Sequence, residues 1–199
     1  MIAIIDYGVG NLFSLESSFS AIGENVKVTS DAEDLKKSER IILPGVGAFE
    51  DAAKKLKSSG LAEPLLDEAG RGKPVLGICL GMQLLFTKSF EFGEHEGLNL
   101  IPGSVRYIGE VIPSGLKIPH IGWNSLKLGA KSIIRNEGEY VYFVHSYAAF
   151  CDEKFITATT NYGADLTAAV QNKNVYGVQF HPEKSGNTGL NILRAFCEV

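Results

Sequence analysis

Short apolar runs alternate with amphipathic stretches in the first half of the chain. The runs are rich in isoleucine, leucine and valine, are typical of buried parallel strands, and cover Ile2–Ile5, Val26–Thr29, Arg40–Leu43 and Val75–Cys79. The stretches between them have helical periodicity and cover about Leu12–Ile22, Ala48–Lys57, Leu61–Gly70 and Leu80–Thr87. Strand, helix and strand in succession predict an open, mostly parallel sheet with helices on both faces.

The second half has a different pattern. Residues 103–171 read mostly as strand with Pro and Gly turns, and the clearest strands are Tyr140–His145, Phe155–Thr160, Leu166–Gln171 and Val175–Phe180. A closing helix is predicted at about Gly189–Glu198. We therefore predict a single α/β domain over residues 1–199, in which an antiparallel β extension joins the parallel sheet.

Composition narrows the class of protein. Of the 199 residues 45% are hydrophobic and 21% charged, as in an ordinary globular domain. The net charge of −4 argues against a nucleic-acid partner. Three widely spaced cysteines without a C-x-x-C pair favour a reducing compartment. The first residues lack the pattern of a signal peptide, and no apolar run approaches the roughly 20 residues needed to cross a bilayer. We expect a cytoplasmic protein with no membrane partner.

The segment Gly77-Ile78-Cys79-Leu80-Gly81 lies between a predicted strand and a predicted helix. A nucleophile flanked by glycines at such a junction is typical of the nucleophile elbow, in which the turn is too sharp for larger neighbours. The helix start would favour the thiolate, and the Leu80 N–H would face an oxyanion. The alternative is a buried cysteine beside two packing glycines.

A thiolate nucleophile needs a base, and His181 directly follows a predicted strand. Glu183, two residues further on, can orient the same imidazole, with Pro182 fixing the backbone between them. Cys79 and His181 both follow strands, so they meet if their loops leave the same edge of the sheet.

The other histidines fit less well. His95 lies in a polar stretch, whereas His120 and His145 either line a site or satisfy a backbone bond. No H-E-x-x-H motif or cysteine pair supplies metal ligands, so we expect no metal and no other cofactor. A second glycine turn, Pro44–Gly47, is either a plain strand-to-helix connection or an oxyanion-binding loop.

Three segments together resemble the class I glutamine amidotransferases: Gly77–Gln83, Pro44–Gly47 and Phe180–Ser185. The resemblance covers essentially the whole chain and implies a flavodoxin-like α/β fold. Narrower features resemble the branch of that family which serves histidine biosynthesis. They are Asp6–Asn11, Pro44–Phe49, Pro119–Asn124, and Met82 where other branches usually have histidine.

The resemblance implies a glutaminase. Cys79 would attack the side-chain amide of glutamine and form a glutamyl thioester, with His181 as base and then acid and Glu183 orienting it. The Leu80 N–H and an N–H of Val46 or Gly47 would hold the oxyanion. The glutamine-recognition positions implied are Gln83, Glu91, Ser146 and Tyr147.

The same resemblance implies a heterodimer with a (β/α)8-barrel cyclase. That partner would use the ammonia to make imidazole glycerol phosphate and aminoimidazole carboxamide ribotide. The contact surface implied comprises Asn11, Pro119, His120, Trp123, Asn124 and Lys184. Trp123, the only tryptophan, fits either an interface or the core.

Three rival functions stay open at this point. A different cysteine hydrolase on the same scaffold would turn over peptides without a partner. A binding subunit that has lost catalysis would not need Cys79, His181 and Glu183. A glutaminase of another pathway would co-purify with a different synthase.

Overall fold

The apolar runs of the first half form parallel strands separated by helices, in a computed structural model that describes residues 1–130 and 132–199. The elements of this half are β1 (Ile2–Ile5), α1 (Leu12–Ala21), β2 (Val26–Thr29), α2 (Ala32–Lys37), β3 (Arg40–Leu43), α3 (Phe49–Ser58), α4 (Ala62–Gly70), β4 (Val75–Ile78) and α5 (Leu80–Leu84). The four strands begin and end within one residue of their predicted limits.

The second half is mostly β structure, as the sequence predicts. Its elements are β5 (Phe86–Ser89), β6 (His95–Glu96), β7 (Ile101–Tyr107), β8 (His120–Ser125), β9 (Lys127–Leu128), β10 (Tyr140–His145), β11 (Tyr147–Phe150), β12 (Ile156–Asn161), β13 (Asp165–Asn172), β14 (Val175–Val178) and α6 (Gly186–Cys197). Short 3-10 helices lie at Ile108–Glu110, Glu153–Phe155 and Pro182–Lys184.

The main sheet has eight strands in the order β2-β1-β3-β4-β14-β13-β12-β9. Strands β2, β1, β3, β4 and β14 are parallel, and β13, β12 and β9 continue the sheet with antiparallel pairs. The predicted parallel sheet with an antiparallel extension is therefore confirmed. Two smaller sheets, β10-β8 and β11-β7-β5-β6, lie outside it.

Alternate residues of the parallel strands point to opposite faces, and helices cover both. Ile2 and Ile4 belong to one apolar cluster with side chains of α1 and α6. Ala3 and Ile5 belong to a second cluster with side chains of α3 and α4. Helices on both faces are thus confirmed. Of the helices that the structure describes, none is long and apolar enough to cross a membrane.

One prediction of local structure was wrong, and one helix was missed. The helix predicted to run to Thr87 ends at Leu84, because Phe86–Ser89 forms β5 and pairs with β7. A short apolar run cannot by itself be assigned to helix or strand, and here the sheet pairing decides. The six-residue helix α2 was not predicted, although Asp31 caps it by accepting from the Glu33 N–H at 2.9 Å.

Helix α6 packs closely against the segment that follows β14. A Cβ at Gly189 would lie 1.8 Å from Pro182 O and 2.7 Å from its carbonyl carbon. The backbone of the helix therefore contacts the backbone of the Pro182–Lys184 turn, and only glycine permits this approach.

Replacing Gly189 by alanine is expected to destabilise the protein by about 1–3 kcal/mol, because helix and turn must move apart. Gly70→Ala is the matched control, since Gly70 is also helical and a Cβ there meets nothing within 4 Å. Its stability should equal or slightly exceed that of wild type. Urea denaturation measures both, and equal midpoints for the two variants would contradict the close contact.

Candidate active site

Three loops meet at one edge of the main sheet. They follow β3, β4 and β14, which are adjacent and parallel, with Leu43 opposite Gly77 and Val178 opposite Ile78. The carboxyl ends of parallel strands lie at the same edge, where open α/β sheets bind ligands. The Pro44–Gly47 turn, Cys79 and the segment around His181 are therefore neighbours, although they are far apart in the sequence.

Cys79 lies in a sharp turn between β4 and α5. Its φ of 54° and ψ of −111° fall in a region that side-chain-bearing residues rarely adopt. The flanking glycines permit the turn: a Cβ at Gly77 would lie 2.7 Å from Gly81 O, and one at Gly81 would lie 1.9 Å from Leu43 O. This is the geometry of a nucleophile elbow.

The Pro44–Gly47 turn packs directly on that elbow. A Cβ at Gly45 would lie 2.7 Å from Gly81 N and 3.0 Å from the Tyr7 hydroxyl oxygen. The Tyr7 hydroxyl donates to Pro44 O at 2.7 Å, and burial raises its pKa well above the usual range, so the phenol stays protonated as a donor. Tyr7 thus holds the turn beside the nucleophile.

The His181 imidazole lies between Glu183 and Cys79. Its Nδ1 is 2.7 Å from Glu183 Oε1, and the two side chains are only 3% and 1% exposed. Since Nδ1 faces the carboxylate, Nε2 is the ring nitrogen left for the Cys79 thiol. Burial lowers the pKa of His181, but its interactions with Cys79 and Glu183 outweigh burial and raise the pKa to about 10. The imidazole can therefore accept a thiol proton and hold it.

Ser185 fixes the loop that carries the histidine. Its hydroxyl donates to His181 O at 2.6 Å and accepts from the Tyr142 N–H at 3.0 Å. The His181 N–H donates to Tyr142 O at 2.9 Å. The loop is thereby attached to β10 by two hydrogen bonds and closed on itself by a third, which limits rotation of the imidazole away from the thiol.

A cavity of about 310 Å³ opens beside the thiol. It is lined by Val46, Gly47, Cys79, Leu80, Gln83, Glu91, Pro119, Val144, His145, Ser146, Tyr147 and His181. Every residue implied for the oxyanion hole or for glutamine recognition lies in this set, while Glu183 lies behind His181. Pro119, implied as a partner contact, also lines the cavity.

Two polar side chains of the cavity have defined contacts. Gln83 Nε2 donates to Tyr147 O at 3.1 Å, and Glu91 Oε2 accepts from the Phe49 N–H at 2.6 Å, at the start of α3. Both side chains are therefore held by backbone groups of neighbouring elements. A carboxylate and an amide in fixed positions suit a ligand that carries an ammonium group and a polar hydrogen-bonding group.

Two segments that line the cavity, Leu80 and Val46–Gly47, carry backbone N–H groups that can donate to a ligand. Leu80 is the first residue of α5, so its N–H has no acceptor within the helix. Within the described residues, neither the Val46 N–H nor the Gly47 N–H donates to a protein acceptor. The φ of Gly47 is +97°, which favours glycine at this position. These donors can serve a developing oxyanion.

The remaining residues implied for the partner surface lie away from the cavity lining. Trp123 is 52% exposed, which excludes the core alternative, and Lys184 is also exposed. Lys184 Nζ lies 5.8 Å from the centre of the Tyr142 ring, which packs edge-on against Trp123. Asn11 and Asn124 are partly exposed. His120 is fully buried, so its side chain is not part of the outer surface.

His120 instead forms a buried pair with His145. His120 Nδ1 lies 3.0 Å from His145 Nε2, His120 Nε2 lies 3.0 Å from Asn124 Oδ1, and His145 Nδ1 lies 2.9 Å from Tyr147 O. Burial lowers the pKa of both imidazoles, that of His145 to about 4. At neutral pH the pair is uncharged and connects β8 with the backbone of the cavity.

Sequence reasoning missed Tyr7, Gln179 and Ser185. Tyr7 comes two residues after β1, next to β3 in the sheet, so the rule about carboxyl ends could have indicated it. Gln179 and Ser185 flank the predicted histidine, but their partners come from distant segments. In the described part of the chain, no group of three or more His, Cys, Asp or Glu side chains is arranged to hold a metal ion.

Comparison with known proteins identifies the class. A family model described as Glutamine amidotransferase class-I matches residues 3–198, and the chain belongs to this family. Relatives carry a narrower name. A protein of Caldanaerobacter subterraneus subsp. tengcongensis, 52% identical over 100% of this chain and 98% of its own length, is an imidazole glycerol phosphate synthase subunit HisH. A relative from Methanothermobacter thermautotrophicus, 49% identical with the same coverage, has the same name.

Solved structures share the fold. A crystal structure of a glutamine amidotransferase superimposes with a TM-score of 0.79 at 17% identity, over 100% of this chain and 98% of that one. PurLQS from Thermotoga maritima gives a TM-score of 0.75 at 19% identity, over 99% and 97% of the two chains. These likenesses support the architecture, and the resemblance to the family that the sequence indicated is confirmed.

We expect the stability of the protein to fall between pH 7 and pH 5 through His145. Its pKa is about 4 in the folded protein and 6.5 in the unfolded chain. Below pH 6.5 the unfolded chain binds a proton that the folded protein does not bind until about pH 4, so the free energy of unfolding decreases as the pH falls. This group contributes a loss of about 2 kcal/mol between pH 7 and pH 5.

Chemical denaturation of wild type and His145→Gln at the two pH values measures this contribution. The variant should lose about 2 kcal/mol less than wild type over the interval. Equal losses would mean that His145 binds its proton as readily in the folded protein as in the unfolded chain.

Proposed function

We propose that residues 1–199 act as a single domain that hydrolyses glutamine through Cys79, His181 and Glu183. The ammonia released would serve a cyclase in the synthesis of imidazole glycerol phosphate and aminoimidazole carboxamide ribotide. The observation that carries the proposal is the hydrogen-bonded His181–Glu183 pair, with His181 and Cys79 lining one cavity that also offers backbone N–H donors for an oxyanion. The name shared by relatives about half identical over the full chain supports the pathway.

Attack on the amide is the first step. The Cys79 thiol gives its proton to His181 Nε2, and the sulfur forms a bond to the side-chain carbonyl carbon of glutamine. The carbonyl oxygen becomes an oxyanion, which the Leu80 N–H and an N–H of the Val46–Gly47 segment stabilise. Glu183 holds the imidazole by Nδ1 and stabilises its charged form.

Collapse of this intermediate releases ammonia. His181 gives its proton to the leaving nitrogen, the carbon–nitrogen bond breaks, and a glutamyl thioester remains on Cys79. A water molecule then attacks the thioester with His181 again as base, and glutamate and free Cys79 result. The protons balance, since each one that the imidazole accepts is returned in the same half-reaction.

Recognition of glutamine falls to the other end of the cavity. We propose that Glu91 binds the α-ammonium group and that Gln83 binds a polar group of the substrate. Ser146 and Tyr147 would contact it through their backbone. The support is that Gln83 and Glu91 line the cavity with their side chains fixed by backbone groups.

A partner surface is proposed on the outer face of β8 and β10. Ile121, Trp123 and Tyr140 are 57%, 52% and 59% exposed there. Large apolar side chains exposed together often mark a protein interface, and tryptophan is frequent among the residues that contribute most to binding. We propose that this face, with Asn11 and Lys184, contacts a (β/α)8-barrel cyclase, and that Pro119 and Asn124 contribute at its border.

The partner also explains how ammonia is used. Ammonia is mostly protonated at neutral pH, so direct transfer to a bound cyclase avoids its loss to solvent. A cytoplasmic location stays a prediction from the sequence, supported by the three unpaired cysteines. The model of a heterodimer follows the subunit name of the relatives and the resemblance found in the sequence.

Ammonia release from glutamine is the test of this function. We expect strong stimulation by the barrel cyclase with its nucleotide ligand, and loss of activity in Cys79→Ala. Cys151→Ala is the matched control. Cys151 lies outside the cavity, and burial raises its thiol pKa to about 11, so activity should be unchanged.

Three outcomes would contradict parts of the proposal. Ammonia release that requires Cys79 but is not stimulated by the cyclase would support the glutaminase activity and assign it to a different pathway. Turnover of peptides without a partner favours the rival hydrolase. No release of ammonia under any condition refutes the proposed chemistry.

We further expect the conformation of the Val46–Gly47 peptide to control activity. Two glycines flank Val46, so this peptide can rotate and complete the oxyanion hole when the partner binds. Gly47→Ala should reduce ammonia release by about tenfold or more, because its φ of +97° disfavours a side chain and the N–H then moves. A Cβ there meets no atom within 4 Å, so no steric clash contributes.

Gly72→Ala is the matched control for backbone strain. Gly72 has a φ of +93°, also with nothing within 4 Å of a Cβ, and lies beyond α4, outside the cavity. Both variants should lose similar stability, while Gly72→Ala keeps its activity. Equal activity in the two variants, or equal activity of the lone chain and the complex, would contradict the role of this peptide.

A further inference from the structure

Gln83 presents its side-chain oxygen to the cavity, because both of its N–H donors are already used. Nε2 donates to Tyr147 O at 3.1 Å and to Gln179 Oε1 at 3.0 Å. Turning the amide over would place Oε1 against two oxygen acceptors, so the hydrogen bonds assign its orientation. The oxygen of Gln83 is therefore left to accept from an N–H group of a ligand.

Gln179 uses the two ends of its amide on two residues of the site. Oε1 accepts from Gln83, so Nε2 is the end that faces Cys79 Sγ, at 3.9 Å. The side chain is fully buried, and the Gln179 N–H donates to Ala168 O at 2.8 Å. Since Gln179 directly follows β14, and β14 pairs with β4, the sheet fixes its distance from the thiol.

A glutamine at this position does more than fill space. Its neighbours Val178 and Phe180 belong to a large apolar cluster. Burying an amide there without hydrogen bonds would cost free energy that an apolar side chain of similar size would avoid. Among the described residues, the hydrogen bonds of its amide are with Gln83 Nε2 and Cys79 Sγ. The polarity of Gln179 is therefore explained by these two groups.

We propose that Gln179 is a positioning residue of the glutaminase site, an inference that rests on the proposed function. Through Oε1 it fixes which end of the Gln83 amide meets glutamine. Through Nε2 it donates to the Cys79 sulfur as the thiolate forms. No bond is made or broken at Gln179, and its effect passes through the other two side chains.

Two substitutions separate these contacts. Gln179→Glu keeps an oxygen acceptor for Gln83, whereas Gln179→Met has a similar size and keeps neither acceptor nor donor. In the full chain assembled with the cyclase, KM for glutamine should rise about fivefold in Gln179→Met and stay within about twofold of wild type in Gln179→Glu. Gln171→Met, at the half-buried end of β13, is the control and should change neither KM nor kcat.

Alkylation of Cys79 tests the donor contact without glutamine. The rate of reaction with iodoacetamide, followed by mass spectrometry of the Cys79 peptide, rises with pH as the thiolate forms. The profile of Gln179→Met should lie at higher pH than that of wild type, because its thiolate lacks one hydrogen-bond donor. The Gln171→Met profile should coincide with that of wild type.

Equal increases of KM in Gln179→Glu and Gln179→Met would overturn the acceptor role, and an unshifted alkylation profile in Gln179→Met would overturn the donor role. A wild-type complex that releases no ammonia would refute the proposed function instead, while alkylation would still test the contact with Cys79. Circular dichroism checks the fold of each variant. If Gln179→Met does not fold, Gln179→Leu takes its place in both measurements.

Discussion

The contact between two backbone segments, at the ends of β3 and β4, is the constraint on which the rest of the site depends. A Cβ on Gly81 would lie 1.9 Å from Leu43 O, and one on Gly45 would lie 2.7 Å from Gly81 N. Side chains at either position would separate the strand ends, and the N–H groups proposed to bind the oxyanion would then move away from the sulfur. The strained backbone of Cys79 persists because β4 and α5 hold it from both sides. The chemistry thus depends on glycines that do not react.

Local signals explain what the sequence predicts well. Strands β1 to β4 are compact apolar runs, and β-branched residues between polar turns define them to within a residue. Cys79 and His181 directly or closely follow such runs, so the rule about carboxyl ends is enough to bring them together. The glycine spacing around Cys79 predicts the elbow because the turn is sterically impossible otherwise. The residues proposed to recognise glutamine came from the family resemblance and not from local patterns.

What the sequence could not predict depends on contacts between distant segments. Nothing in the local sequence distinguishes Ser185 or Tyr7 from other residues of their type. Their roles depend on hydrogen bonds with Tyr142 of β10 and with the Pro44 carbonyl, respectively. Gln179 appears as one polar residue at the end of an apolar strand, and its role depends on Gln83, 96 residues away. The burial of His120 could not be predicted either. Side chains alternate between the two faces of β8, but the sequence of the strand alone does not show which face is exposed to solvent.

The two-stranded β8–β10 sheet connects the outer surface with the cavity, because successive side chains point to opposite faces of a strand. Trp123 lies on the outer face, while His120 lies on the inner face opposite His145, which contacts Tyr147 O at the cavity. Two uncharged imidazoles have two N–H protons for three contacts, so one contact of the His120–His145 pair lacks a hydrogen. The three contacts run from Tyr147 O through His145 and His120 to Asn124, which lies on the same strand as Trp123. A partner that binds the outer face therefore acts on a strand whose inner face supports the carbonyl that orients Gln83.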